Sequence, residues 1–293
     1  MYAAQEGHKD VVNVLISHKC KLDMHNNEGW TALMIAVEKG HKDIVDILLA
    51  HCCNVDLQNY SGNTALMIAV EEGHKEIVDA LLAHNCNLDL QDNNGWTALM
   101  YAADNRHKDI VDILLAHKCN VDVQSNKGWT ALMWAVEKGH KDIVDALLAH
   151  NCNVDVQNND GWTALMLAAN GGHKEIVDTL LSHNCNIDVQ MKYGTTALSI
   201  AKSRNHVEVA ALIGNKLRRN RNWDHRKALM LVLAGSNYLL PSSSTSLLSS
   251  SAAVDTERVV QTPVVIPRVD AALTSSKKVL CDLFLVQNIM RYI

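Results

Sequence analysis

Thr31-Ala32-Leu33-Met34-Ile35-Ala36-Val37-Glu38-Lys39-Gly40-His41-Lys42-Asp43-Ile44-Val45-Asp46-Ile47-Leu48-Leu49 reads as two short helices and the turn between them. Thr31 precedes the first apolar run, where its hydroxyl can accept from the backbone N–H groups that a helix start leaves free. Leu33 to Val37 give one short apolar helix. Gly40 ends it, supplying a left-handed residue that a side chain would resist. In the second helix, positions 44, 45, 48 and 49 are apolar at helical spacing, while Lys42, Asp43 and Asp46 face water. Cys53-Asn54-Val55-Asp56-Leu57-Gln58 then forms an extended loop leading to the next glycine-centred turn. Helices this short are unstable alone, so each pair must bury its apolar side against neighbours.

The neighbours are copies. Thr31-Ala32-Leu33-Met34 recurs at 64–67, 97–100, 130–133 and 163–166, and returns as Thr196-Ala197-Leu198-Ser199, each step being 33 residues. Gly-His pairs mark 7–8, 40–41, 73–74, 139–140 and 172–173, and degrade to Arg106-His107 and Asn205-His206. Length, Thr-x-Leu, Gly-His and the Ile-Val-x-x-Leu-Leu run agree in register. On those residues the unit resembles the ankyrin repeat, over residue 1 to about 213. The resemblance implies an all-α repeat solenoid of helix-turn-helix units joined by β-turn loops. Five full units start near 26, 59, 92, 125 and 158, with a partial unit at each end. Two departures stand out: each unit has Ala where the family has proline, and Met (Ser199 in the last) where it has histidine. The family's Thr/His hydrogen-bond network is therefore reduced, though methionine packs adaptably and the fold should survive.

The ends differ from the array. Met1 aligns with Met34, so the first unit lacks its turn and threonine cap; the expectation is an incomplete chain or a start set too late, and with a genuine start residues 1–20 should fray. Of the 293 residues, 48% are hydrophobic and 20% charged, with a net charge of −5. Residues 216–293 contribute +6, so the repeats carry −11. The expected organisation is a repeat domain at 1–215, a basic segment and capping helix at 216–235, a Ser-rich, Pro-containing linker at 236–276 and an amphipathic helix at 277–293. Trp223 to Ala234 reads as the added helix. Pro241 to Ser251 has eight Ser or Thr, too little apolar surface to bury. No run reaches the roughly 18 apolar residues of a membrane span. The N-terminus lacks the basic start and apolar core of a signal peptide. The expected compartment is the cytoplasm, with Lys216-Leu217-Arg218-Arg219-Asn220-Arg221 as a candidate nuclear-import signal or anionic-partner patch.

Several residues invite chemistry. Cysteines recur at 20, 53, 86, 119, 152 and 185, each two after a histidine, with Cys52 and Cys281 outside the ladder. Neighbouring helices lie ~8–10 Å apart, whereas zinc ligands at ~2.0–2.3 Å must crowd one point. One unit offers only two ligands, so no metal site is expected. The same spacing excludes disulfides, which need Cα atoms within ~7 Å, and leaves small half-buried thiols. Catalysis needs a unique constellation and this array offers copies, so neither an enzyme nor a cofactor is expected. Arg106 stands in a glycine's place, at a cost of ~1–2 kcal/mol for a left-handed conformation; drift in a redundant array explains it.

Trp30, Trp96, Trp129 and Trp162 each follow a turn glycine, where other units have Asn63 and Thr195. Either each packs on its own turn, or together they form a row of aromatic anchors, the residue type enriched in binding hot spots. In the family this position lies on the turn-and-first-helix side that lines the concave surface. Tyr101 and Trp134 replace Ile35 and Ile68, thickening the aromatic surface over 92–167. The expected partner-binding set is therefore Trp30, Tyr60, Trp96, Tyr101, Asp104, Trp129, Trp134, Glu137, Lys138 and Trp162. The expected function is non-catalytic protein–protein recognition by a scaffold. The alternative is an adaptor of a ubiquitin-ligase or signalling complex, recruiting a second component through 277–293. Nucleic-acid binding rests on residues 216–227 alone and is disfavoured by the acidic repeats.

Overall fold

In the computed structural model residues 1–236 are described, and the chain divides into two compact units, Met1–Lys216 and Leu217–Ile293. The sequence period becomes a row of helix pairs: α1 (Tyr2–Gln5) with α2 (Lys9–Ser17), α3 (Ala32–Glu38) with α4 (Lys42–Ala50), and α5 (Ala65–Glu71) with α6 (Lys75–Ala83). The row continues with α7 (Ala98–Asp104) and α8 (Lys108–Ala116), α9 (Ala131–Glu137) and α10 (Lys141–Ala149), and α11 (Ala164–Gly171) and α12 (Lys174–Ser182). It closes with α13 (Ala197–Ser203) and α14 (Val207–Ser236). Each first helix from α1 to α11 packs on the next first helix and on its own second helix, and each second helix from α2 to α10 packs on the next second helix. Among the described residues there is no β-strand, only an isolated bridge between His25 and Thr31.

The apolar spacing sets the interior. Ile44, Val45, Leu48 and Leu49 are at most 2% exposed, and their counterparts in α6, α8, α10 and α12 are buried likewise. Every Met of the Thr-Ala-Leu-Met motif from 34 to 166 is at most 2% exposed, filling the place of the family's histidine. The threonines are caps, buried at 31, 64, 130 and 163 and half-buried at 196: Thr31, Thr64, Thr130, Thr163 and Thr196 accept from the backbone N–H three residues on, at 3.2–3.3 Å. In one unit the thioether completes a weak reciprocal pair, Met67 Sδ lying 3.5 Å from the Thr64 N–H nitrogen. Thr97 is equally buried but makes no side-chain cap bond.

Between the helices of a pair the turn residue is left-handed, a conformation glycine takes without strain. Gly73 has φ +71°, and a Cβ there would stand 2.8 Å from the His107 ring of the next unit. The histidines sit just before each second helix, and several reach back a full unit: His41, His140 and His206 Nε2–H donate to the carbonyls of Gln5, Asp104 and Asn170 at 3.0–3.3 Å. Arg106 does adopt the left-handed conformation, with φ 61°.

The loops are less passive than their sequence suggests. Asp23, Asp56, Asp89, Asp122 and Asp155 each accept, through Oδ1, the backbone N–H of an Asn 31 residues on, at 2.7–2.9 Å. Gln58 and Gln91 donate both to a carbonyl of their own turn and to the main chain 33 residues on, at 2.7–2.9 Å. Neighbours are thus stitched at their loops as well as packed at their helices.

The ends depart from the regular array. Of α2 only Val12 is buried, and Val11, Val14 and Leu15 are 45–57% exposed. Trp223–Ala234 is not a separate helix: α14 runs unbroken from Val207 to Ser236, across the boundary drawn at 215/216 from composition. The basic residues Arg218, Arg219, Arg221, Arg226 and Lys227 are exposed along it. The linker and the helix expected at 277–293 lie outside the described residues.

Two measurements follow from these packing differences. Amides of residues 1–20 exchange faster than those of 110–150; equal protection would contradict the thin packing of α1 and α2. Thr130→Ala lowers the free energy of urea unfolding by about 1 kcal/mol, the usual value of such a cap, and Thr97→Ala by clearly less; equal losses would show that the cap bond is not what stabilises these helix starts.

Candidate partner-binding face

Each Trp that follows a turn glycine is aimed by a short polar side chain at the base of its turn. In the unit starting at 92, Asp92 is 7% exposed and its Oδ1 accepts from the Asn94 and Trp96 N–H groups at 2.8 and 2.7 Å. Ser125 does the same for Trp129 at 3.1 Å, and Asn26 and Asn158 for Trp30 and Trp162 at 2.9 Å. Gly95 has no substitute, because a Cβ there would meet the Asn126 backbone nitrogen at 2.5 Å. The turns are also joined in series: the Asn93, Asn126 and Asn159 side-chain amides each donate to a carbonyl 33 residues back, at 2.8–2.9 Å.

Four of the expected residues form one seam across two units. Trp129 stacks on Trp134 with ring centroids 4.4 Å apart, Trp134 meets Trp96 at 4.5 Å, and Trp96 meets Tyr101 at 5.0 Å. All four are half-buried. The contact arises because Trp134 takes an isoleucine's position on α9, next to the turn of the preceding unit. Trp134 gains ring contacts but loses an acceptor, since its buried indole N–H has no hydrogen-bond partner among the described residues. A cleft of about 250 Å³ adjoins the seam, lined by Trp96, Ser125, Asn126, Lys127, Trp129 and Trp134.

The other expected residues are distributed differently. Trp30 and Trp162 are half-buried on their own turns and make no ring contact with the seam. Tyr60 is 64% exposed and meets His25 edge-on at 5.8 Å. Lys138 Nζ lies 3.0 Å from Asp104 Oδ1 of the preceding unit, which ties Asp104 and Lys138 to each other. Glu137 is exposed.

Carboxylates gather at the Tyr101 end. The Tyr101 hydroxyl donates to Asp92 Oδ2 at 2.9 Å, and Asn63 Oδ1 is 3.5 Å away. Burial, the bond to Asp92 and the charges of Asp92 and Glu71 hold the Tyr101 hydroxyl above its ordinary pKa. Burial, Glu72 and Asp92 likewise raise the Glu71 carboxyl. Sequence reasoning missed Asp92, Asn63 and Glu71 as neighbours of Tyr101. The signal available was their place in a 33-residue period, which brings position 63 of one unit beside the first helix of the next.

The ladder thiols are buried at Cys86, Cys119, Cys152 and Cys185, half-buried at Cys53 and exposed at Cys20; Cys52, outside the ladder, is exposed. Burial, with the aspartate of the preceding loop, pushes Cys86 up to about 11 and Cys119, Cys152 and Cys185 up to about 12. Buried thiols of this kind stay protonated and unreactive at neutral pH. Among the described residues, no three His, Cys, Asp or Glu side chains are placed to hold a metal ion, and no helix is long and apolar enough to cross a membrane.

A stack of near-identical two-helix units, with a half-buried aromatic seam on its turn side, defines a helical-repeat solenoid. A family model described as Ankyrin repeats (3 copies) matches residues 1–92, 76–158 and 145–222, and the chain belongs to the ankyrin-repeat family. Ankyrin repeats are generally protein–protein interaction modules and typically non-catalytic. In a comparison with curated proteins no sequence matched.

The raised Glu71 carboxyl has a definite sign. Its folded pKa exceeds the unfolded one, so the folded chain holds the proton more tightly and ionisation opposes folding as pH rises through that window. Glu71→Gln therefore melts slightly above wild type at pH 7, and the two coincide near pH ~3, where unfolded glutamate is protonated. A variant less stable at pH 7 would contradict the crowding of Glu71 by Glu72 and Asp92.

Proposed function

We propose that the chain is a scaffold that recognises a partner protein, without catalysis, through the concave face built from its turns and first helices. Contact centres on the seam of Tyr101, Trp96, Trp134 and Trp129. The observation that carries this reading is where the repeat breaks its own rule. Units that are otherwise near copies put Tyr101 and Trp134 in place of isoleucine, and the two join the same ring-to-ring seam. Isoleucine suffices for packing there, as Ile68, 3% exposed, demonstrates. Large aromatics left half-exposed on a stiff support are the usual centres of binding energy. Trp30, Tyr60, Asp104, Glu137, Lys138 and Trp162 form the surrounding contact area, where charges act more on encounter than on affinity.

The test is affinity capture from the native source with three immobilised forms of the full chain. The wild type retains a defined partner. A variant with Trp96→Ser, Trp129→Ser and Trp134→Ser loses it. Tyr101→Ile with Trp134→Ile, which restores the residue of the other units, keeps the wild-type circular dichroism and binds at least about tenfold more weakly, as loss of a hot-spot residue does. Capture unaffected in both variants would refute the proposed face. Residues 277–293 carry the alternative of a ubiquitin-ligase or signalling adaptor. Under it, removing 236–293 abolishes one captured protein and leaves the other.

A further inference from the structure

The aromatic seam is electrically lopsided. At its Tyr101 end, Glu71 closes α5 and Glu72 follows it; both are exposed, and neither has an ion-pair partner among the described residues. Asp92 adds a buried negative charge, bonded to the Tyr101 hydroxyl at 2.9 Å. The neighbouring cations are engaged or lie elsewhere. Lys138 is held by Asp104 at 3.0 Å and Lys39 by Glu38 at 3.1 Å, while Lys127 borders the cleft of Trp96, Trp129 and Trp134. Arg106 lines a cleft with Gly73, next to Glu72, but forms no ion pair with Glu71 or Glu72. Burial, and then crowding by Glu72 and Asp92, holds the Glu71 proton more tightly than usual.

We infer that the Tyr101 end of the seam seats an arginine side chain presented by an extended segment of the partner protein. The inference rests on the reading of this face as a protein-binding surface, and adds the chemistry of what it binds. Flat, half-exposed rings beside free carboxylates suit a guanidinium in two ways at once. Its plane lies against an aromatic face, and its edge offers N–H groups in a fork that carboxylate oxygens accept. A lysine ammonium satisfies the charge but not the stacking. An apolar helix would leave Glu71 and Glu72 buried without partners, a costly arrangement. Nucleic acid is disfavoured by the −11 charge of the repeat region.

The probe is a capped glycine–serine heptapeptide with one central arginine, titrated at millimolar concentration into the full chain and followed by the indole N–H resonances. Resonances are assigned by single Trp→Phe variants. The arginine peptide shifts Trp96 and Trp134 saturably and leaves Trp30 and Trp162 in place. Replacing arginine by the isosteric, uncharged citrulline weakens binding at least about tenfold, and replacing it by lysine about threefold. Glu71→Gln with Glu72→Gln, which relieves charge crowding, weakens the arginine peptide about tenfold and flattens its salt dependence. Equal binding of the citrulline peptide, or an unchanged affinity in the double glutamine variant, would overturn the inference. If the captured partner depends on Trp96 and Trp134 but not on Glu71 and Glu72, the arginine seat is wrong and the recognition face stands. If capture ignores all four, the face itself is wrong.

Discussion

No unit of this chain can satisfy its own polar groups, and that constraint organises the rest. The Asp56 carboxylate finds its donor at Asn87, and the Gln58 side chain finds its second acceptor at Gln91. The His41 ring finds its carbonyl at Gln5. Each of these bonds spans about one period, as does the apolar packing of one first helix on the next. A module with open bonds on both sides is stable only between neighbours, and its stability is a sum of internal and nearest-neighbour contributions. This is why buried positions repeat so closely in the middle of the row.

The candidate site grows from the same constraint. A turn must be rigid for the next turn to bond to it, so its base is locked by a buried Asn, Asp or Ser. The residue after the glycine inherits that rigidity. Tryptophan there is fixed without packing of its own, and an aromatic in the adjacent first helix completes the contact. The first-helix position is half-buried in α3, α7 and α9, as Ile35, Tyr101 and Trp134, and admits residues of very different size. The surface can therefore change at these places while the interior does not.

Much of the fold was legible because periodicity reports on burial directly. The threonine caps, the glycine turns and the apolar faces of the second helices all stand where the 33-residue period puts them. Loop hydrogen bonds were not legible, since Asp and Gln in a polar loop look the same whether solvated or bonded to a neighbour. The left-handed residues ending the second helices, among them Asn85, Asn151 and Asn184, were equally hidden, because Lys19, Cys52 and Lys118 share the conformation without advertising it. For the site, sequence identified the aromatic residues but not their grouping. Trp96 and Trp134 are 38 positions apart, which is one period plus five, and only the translation between units makes them touch. Trp30 and Trp162 lack such a partner because Ile35 and Leu167 stand where Tyr101 and Trp134 do.

The five Asp–Asn stitches are chemically interchangeable, and this bears on how the chain finds its order. A folding intermediate could dock one module against the wrong sibling and satisfy nearly every bond, a hazard typical of tandem arrays. Covalent tethering through brief connectors makes the correct sibling arrive first. The indole contact between modules 92–124 and 125–157 then distinguishes that junction from the rest, so the proposed recognition surface doubles as a registration mark for assembly.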